Sequence, residues 1–240
     1  MILAAGVGRR LLPLTAETPK ALVPVGGVPM IEGLIGRLRA AGVTEIVVNL
    51  FHLGERIVEF LASKGHFGLR IEFSREVALL DTGGGLKCAA WFFDDGRPFF
   101  LHNVDVLSDI DLPALLRFHR EAGALATLAV QARPSSRPLL LDPDGWLCGR
   151  ETAAGVDWAK APVDRATRVG FTGIHVLEPA IFPKLTETGA FPIMSSYLRL
   201  AGQGAKIATY RADGSYWQDI GSPERLEQAR RHSQHRRQAC

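Results

Sequence analysis

Residues 1–29 read MILAAGVGRRLLPLTAETPKALVPVGGVP, and the rest of the chain is best read outward from them. The apolar run Ile2-Leu3-Ala4-Ala5 has the composition of a short buried strand, and it ends in a loop carrying Gly6 and Gly8. Glycine lacks a Cβ, so successive backbone N–H groups in such a loop can close around anionic oxygens. Arg9, Arg10 and Lys20 add three positive charges, and a guanidinium can hold phosphate through two parallel hydrogen bonds. A strand feeding a loop of this kind is suited to a polyphosphate. Two familiar phosphate loops do not fit. A dinucleotide fingerprint needs a third glycine where this chain has Leu11, and Pro13 stands where its helix would run. A Walker loop needs Gly-Lys-Ser/Thr, whereas Lys20 lies between Pro19 and Ala21. An NAD-dependent oxidoreductase is disfavoured on the same grounds.

Beyond the loop, strand-like and helix-like segments alternate. Helices are expected over 29–41, 55–64, 83–91, 113–121, 194–202 and from Ser222 onward, with strands over 45–50, 69–73, 98–102, 125–131, 169–177 and 206–210. That alternation predicts an α/β fold: a Rossmann-like, doubly wound, mostly parallel sheet with helices on both faces. A hairpin turning at Asp142-Pro143-Asp144-Gly145 and an irregular stretch over 153–168 would form a small antiparallel lid. A length of 240 residues with 47% hydrophobic residues suits a single domain, 1–240, with a sizeable core. No apolar segment approaches the length of a membrane span, and the opening strand leaves no room for a cleavable leader. Cys88, Cys148 and Cys240 are odd in number and widely spaced, which reads as free thiols in a reducing, cytoplasmic setting. Net charge is only +3, and the basic run from Arg230 to Arg237 lacks interleaved aromatic residues. A solvated helix end therefore fits it better than a nucleic-acid site.

The strand ending Phe99-Phe100-Leu101-His102-Asn103-Val104-Asp105 runs into a polar tip. Ligands of parallel sheets bind at the carboxyl ends of strands, and Mg²⁺ prefers carboxylate and phosphate oxygens, so Asp105 is a candidate metal ligand. Asp109 and Asp111 follow closely, and helix capping is the expected use of both. In Tyr216-Trp217-Gln218-Asp219-Ile220-Gly221, spacing alone leaves Asp219 open between a second metal ligand and a polar turn. The consecutive glycines of Asp81-Thr82-Gly83-Gly84-Gly85 are costly at a helix start unless something approaches the backbone closely. His102 and His175 lie within apolar strands and read as core groups rather than catalysts.

Taken from Leu3 to Pro29, the opening stretch meets every fixed position of L-A-A-G-x-G-x-R-x-x-P-L-T-x-x-x-P-K-x-L-x-P-V-x-G-x-P. This resembles the signature of the sugar-1-phosphate nucleotidyltransferases, particularly their short bacterial members, and the likeness runs through the chain. The resemblance implies transfer of a nucleotidyl group from a nucleoside triphosphate to a sugar-1-phosphate, with UTP favoured and GTP or dTTP as alternatives, and Mg²⁺ as cofactor. It implies Arg10 and Lys20 as catalytic residues. Ala4, Ala5, Gly6, Gly8, Arg9, Thr82, Gly83, Gly84 and Asn103 would hold the nucleotide, with the 81–85 loop lining the base. Asp219 falls in a W-x-D-x-G element that supplies a second carboxylate beside Asp105. Phe171-Thr172-Gly173-Ile174-His175 matches a strand whose glycine lies beside the sugar, with Arg137 and Glu151 as further sugar contacts. The implied halves are about 1–125 for the nucleotide and about 126–221 for the sugar, with a helix and basic tail over 222–240. No nucleic-acid or membrane partner is implied, and monomer and homodimer both remain open. Two rival readings are a phosphocholine cytidylyltransferase and a non-catalytic, nucleotide-sugar-binding regulator. The first would need an aromatic cage, and the second would be expected to lack Lys20 or a carboxylate.

Overall fold

The structure, a computed structural model, describes residues 1–238, with side chains through residue 235. In chain order its first elements are β1 (Ile2–Leu3), α1 (Leu14–Glu17), β2 (Pro24–Val25), β3 (Val28–Pro29), α2 (Met30–Ala40), β4 (Glu45–Leu50), α3 (Gly54–Ser63) and β5 (Arg70–Arg75). The middle comprises α4 (Asp81–Cys88), β6 (Phe99–Asn103), β7 (Val106–Ser108), α5 (Leu112–Ala122), β8 (Ala126–Gln131), β9 (Leu139–Leu141), β10 (Leu147–Thr152) and β11 (Gly155–Trp158). There follow β12 (Thr167–Leu177), α6 (Ile193–Gly202), β13 (Ile207–Arg211), β14 (Trp217–Asp219) and α7 (Pro223–Gln238). The fold is α/β, as the alternation predicts. Its contacts group into two units, each drawn from more than one stretch of the chain. Unit 1 holds 1–79, 103–110 and the segment from Tyr216 onward, and unit 2 holds 80–102 and 111–215.

In unit 1, β1 pairs parallel with β4, and β4 pairs parallel with β5. β4 is a near-continuous apolar run, as expected where a parallel sheet is covered on both faces: from Ile46 to Leu50 every residue is buried, whereas the charged β5 buries only Ile71 and Ser74. α2 buries Met30, Ile31, Leu34, Ile35 and Leu38, and α3 buries Ile57 and Leu61, the spacing of one helical stripe. The short strands β7 and β14 pair antiparallel, with Asp219 opposite Val106. This pairing, invisible to periodicity in so few residues, draws 103–110 and the segment after Tyr216 into the same unit. A cluster of Leu11, Val23, Val25, Met30, Ile220, Leu226 and Ala229 lies beneath it.

In unit 2, β12 is the hub. It pairs antiparallel with β6, β8 and β9, while β13 adds parallel to β8 and β10 adds antiparallel to β9. Asp111 caps α5 by accepting from Ala114 N at 2.8 Å, and Gly123 ends that helix at φ 55°, both as expected. Two expectations are corrected. The stretch 153–168 is not wholly irregular, because β11 pairs with β10 from Gly155 to Trp158. Three of its four residues are exposed, so it is an edge strand without the alternation that marks a half-buried one. The helix placed over 83–91 begins at Asp81 and ends at Cys88. Among the described residues no helix is long and apolar enough to cross a membrane. The basic run continues α7, with Tyr216 stacked on His232 at 3.7 Å between ring centroids. Cys240 lies outside the described residues, and Cys88 and Cys148 are free thiols.

Candidate active site

The glycine loop owes its shape to local contacts. Gly8 has φ 69°, a left-handed conformation that side chains rarely adopt, and a Cβ there would sit 2.9 Å from Thr15 Cγ2. The carbonyl of Gly8 accepts from Thr15 Oγ1 at 2.9 Å and from Leu11 N at 2.8 Å. Thr15 is almost wholly buried, so its hydroxyl fastens the loop from inside. A Cβ at Gly6 would meet nothing within 4 Å, and Arg9 and Arg10 are exposed, so this part of the loop is open to a ligand. Ala4 is different: its N–H donates to Asn49 Oδ1 at 2.6 Å, and Asn49 Nδ2 donates to Glu76 Oε1 at 2.7 Å. The main-chain donor of Ala4 is therefore spent within the protein. Sequence reasoning gave no role to Thr15 or Asn49. The available signal was a polar residue inside an apolar strand, where burial demands a hydrogen-bond partner.

The candidate ligands Asp105 and Asp219 meet in unit 1. Ile220 N donates to Asp105 O at 3.0 Å, one step along the β7–β14 ladder from Asp219 opposite Val106. Lys20 Nζ pairs with Asp105 Oδ2. Asp219 Oδ2 accepts from Arg225 Nη1, and its Oδ1 accepts from Gly221 N at 2.8 Å. Burial pushes the Asp219 carboxyl upward, but the Arg225 and Gly221 hydrogen bonds and the charges of Arg225 and Lys20 outweigh it, leaving the group below its ordinary range. A Cβ at Gly221 would lie 2.6 Å from Asp219 Oδ1 and 2.9 Å from Arg10 Nη2, so only glycine leaves room for both. Each of these charged residues precedes a buried apolar one: Arg10–Leu11, Lys20–Ala21, Asp105–Val106, Asp219–Ile220 and Arg225–Leu226. Burying the neighbour aims the charged side chain away from the core. Arg225 was not anticipated, and this alternation was the signal available.

Among the described residues no group of three or more His, Cys, Asp or Glu side chains could hold a metal. Asp105 and Asp219, on segments joined by the Ile220–Asp105 backbone bond, are of the donor type that fits Mg²⁺, which retains waters and commonly binds through one or two carboxylates plus substrate phosphates. The missing Cβ at Gly221 leaves room for the Asp219 carboxylate and the Arg10 guanidinium beside that turn.

The other candidates lie in unit 2, except Asn103, which ends β6 beside Val104 and Asp105. Gly83 N and Gly84 N both donate to Phe191 O, at 2.9 and 3.3 Å. A Cβ at Gly83 would lie 2.3 Å from Phe191 Cε2, and one at Gly84 would lie 2.5 Å from Gly189 O. The close approach expected of a base is thus made by residues 189–191, while Thr82 Oγ1 accepts from Ile193 N at 3.0 Å. Gly173 has φ 79° and lies in a bulge of β12 against β8, which explains the glycine physically. Arg137 is exposed, and Glu151, whose N donates to Pro138 O at 2.9 Å, pairs with Arg168. Lys160 lies apart from that pair, at a cavity of about 340 Å³ with Trp146, Cys148 and Lys206. His175 is buried and hydrogen-bonded to Tyr197 Oη at 2.8 Å; burial, aided by the nearby His102, pushes its pKa down to about 3. It is a neutral core group, as expected.

Against known proteins, the family model described as a nucleotidyl transferase matches residues 1–139. The chain is 33% identical over 235 residues to N-acetylmuramate alpha-1-phosphate uridylyltransferase of Neisseria meningitidis, covering 95% of each. It is also 33% identical over 236 residues to a mannose-1-phosphate guanyltransferase of Gibberella zeae, where 93% of this chain spans 61% of the longer relative. A UDP-glucose pyrophosphorylase of Acinetobacter baumanii shares its fold, with a TM-score of 0.78 and 21% identity over 96% of this chain and 91% of that one. With the loop, the paired carboxylates and these likenesses together, the chain belongs to the sugar-1-phosphate nucleotidyltransferase family.

Proposed function

We propose that the protein joins a nucleoside triphosphate to a sugar-1-phosphate, releasing pyrophosphate. The observation that carries this reading is the meeting of Lys20–Asp105 with Arg10 and Asp219 across one backbone hydrogen bond. A phosphate oxygen of the sugar-1-phosphate attacks the α-phosphorus, the bond to the β-bridging oxygen breaks, and pyrophosphate departs with the electron pair. The nucleophile is already an anion, so no general base is needed, in keeping with neutral, buried His175. The work left to the protein is to hold mutually repelling anions in line and balance the charge that develops. Arg9 and Arg10 bind the phosphates at the open loop, Lys20 moves from Asp105 toward them, and Asp105 and Asp219 would hold Mg²⁺. When bound, Mg²⁺ supplies charge neutralisation on the phosphate oxygens. Gly173, Arg137 and Glu151 belong to the acceptor side.

UTP is the preferred donor on the strength of the uridylyltransferase relative that matches this chain end to end, with GTP the alternative from the guanyltransferases. Phosphocholine is a poorer acceptor candidate. Unit 2 does hold an aromatic cluster, but Phe93, Phe99 and Phe182 stack upon one another at 3.8–5.8 Å rather than framing a cage. A silent regulator is disfavoured because Arg10, Lys20, Asp105 and Asp219 are all present. The test is pyrophosphate release with Mg²⁺ across UTP, GTP, dTTP and CTP against a panel of sugar-1-phosphates and phosphocholine. Release that requires one triphosphate and one sugar phosphate together is expected. No release from protein that binds nucleotide would overturn the reading.

A further inference from the structure

Arg225 stands on the first turn of α7, and its side chain is 50% exposed, whereas that of Asp219 is 17% exposed. The carboxylate is anchored at Oδ1 by Gly221 N, and its neighbour Ile220 is fully buried. Of the two partners, the arginine is the one able to move. With Lys20 on Asp105, each candidate metal ligand has a cation seated on one oxygen. A bare divalent ion must therefore displace two positive groups while meeting Arg10 beside Gly221. An ion arriving with a polyphosphate faces a different balance, because the displaced cations gain phosphate oxygens in exchange, and charge-assisted bonds to phosphate are strong.

On the proposed transferase reading, we infer that Arg225 is a bifunctional positioning residue. It holds Asp219 when the site is empty, then transfers to the polyphosphate of the nucleotide or to departing pyrophosphate when the metal enters. The two roles have opposite signs: as a plug, Arg225 weakens binding of metal alone; as a clamp, it strengthens binding of metal with polyphosphate. A purely structural ion pair would not separate these effects.

The experiment titrates Mn²⁺ and counts the protein-bound ion by equilibrium dialysis, with and without pyrophosphate, in wild type, Arg225→Ala, Arg225→Lys and Asp219→Asn. Circular dichroism checks that each is folded. Arg225→Ala is expected to bind Mn²⁺ alone roughly threefold to tenfold more tightly, and pyrophosphate with Mn²⁺ roughly tenfold more weakly, with Arg225→Lys between. Unchanged binding in both arms would make Arg225 a bystander. Weakening in both arms would make it a strut for the 219–225 turn. Either result overturns this inference while leaving the transferase reading intact, provided Asp219→Asn still loses Mn²⁺. Wild type that binds no Mn²⁺ even with pyrophosphate would remove the metal reading and this inference together.

Discussion

The 219–225 turn of unit 1 and the 137–151 hairpin of unit 2 both carry charged residues assigned to the same reaction, yet they are built differently. At the turn, Asp219 is paired with Arg225 and bonded to the backbone N–H of Gly221, and both charged residues are followed by one locked into the core. In the hairpin, Arg137 is exposed and Glu151 pairs with an arginine whose side chain is 69% exposed. An exposed pair contributes little fixed geometry, since solvent screening and side-chain entropy offset its attraction. On the proposed reading, the anchored set suits the handling of phosphate and metal, and the exposed set suits the fitting of an acceptor.

The largest effects expected are at the anchored charges. Asp105→Asn and Lys20→Ala should each lower turnover at least about a hundredfold in steady-state assays, by analogy with removal of one positioned transition-state donor, while remaining folded by circular dichroism. Glu151→Gln should act mainly on KM for the sugar phosphate. If it lowers kcat as much as Asp105→Asn does, the contrast fails. A smaller loss, roughly tenfold to a hundredfold, is expected for Gly221→Ala, whose Cβ would intrude on Arg10 and Asp219. Gly221 is not among the residues with positive φ, so that loss would report displaced side chains rather than backbone strain. Wild-type kinetics in this variant would show that the anchored set yields more readily than its packing implies.

The smallest effect is a dependence of stability on pH. His175 is held near 3 and His119 is lowered by burial, against an ordinary value of 6.5. Below about 6.5 the unfolded chain takes up these protons and the folded one does not, so stability falls as pH drops from there toward the folded values. Asp219, also lowered, contributes stability that is lost only as pH falls below its ordinary 3.8. Urea unfolding between pH 7 and 4.5 should therefore weaken with acid, through the unit 2 histidines together with the buried Met1 amino group of unit 1, lowered by burial to about 5, and His175→Gln should make that slope shallower. An unchanged slope would mean His175 does not stay neutral in the folded protein.

The elements that sequence reading located well carry strong local signals: the apolar strand 45–50, and α5 with its aspartate cap and terminal glycine. Features set by distant contacts were harder to see. The glycines at 83 and 84 announce a close approach, but nothing in their own segment says that Phe191 and Gly189 make it. β7 and β14 are each three residues long, too short for a period, although their pairing brings the two carboxylates together. Asp105 and Lys20 could be singled out in the sequence because a strand end and the opening motif point to them, and the structure pairs them with each other. Arg225 was not, because an arginine in a helix's first turn looks like any solvated charge.

The β7–β14 ladder also has a meaning in time. Asp109 Oδ1 receives Tyr216 N at 2.7 Å across 107 residues of sequence. Contacts so distant along the chain close late, since the intervening loop must first be brought to order. During synthesis the phosphate loop and Asp105 emerge early, but their partner carboxylate does not exist until 216–221 leaves the ribosome. On the proposed reading, a growing chain lacks half of its candidate metal site until one of the closing steps of assembly.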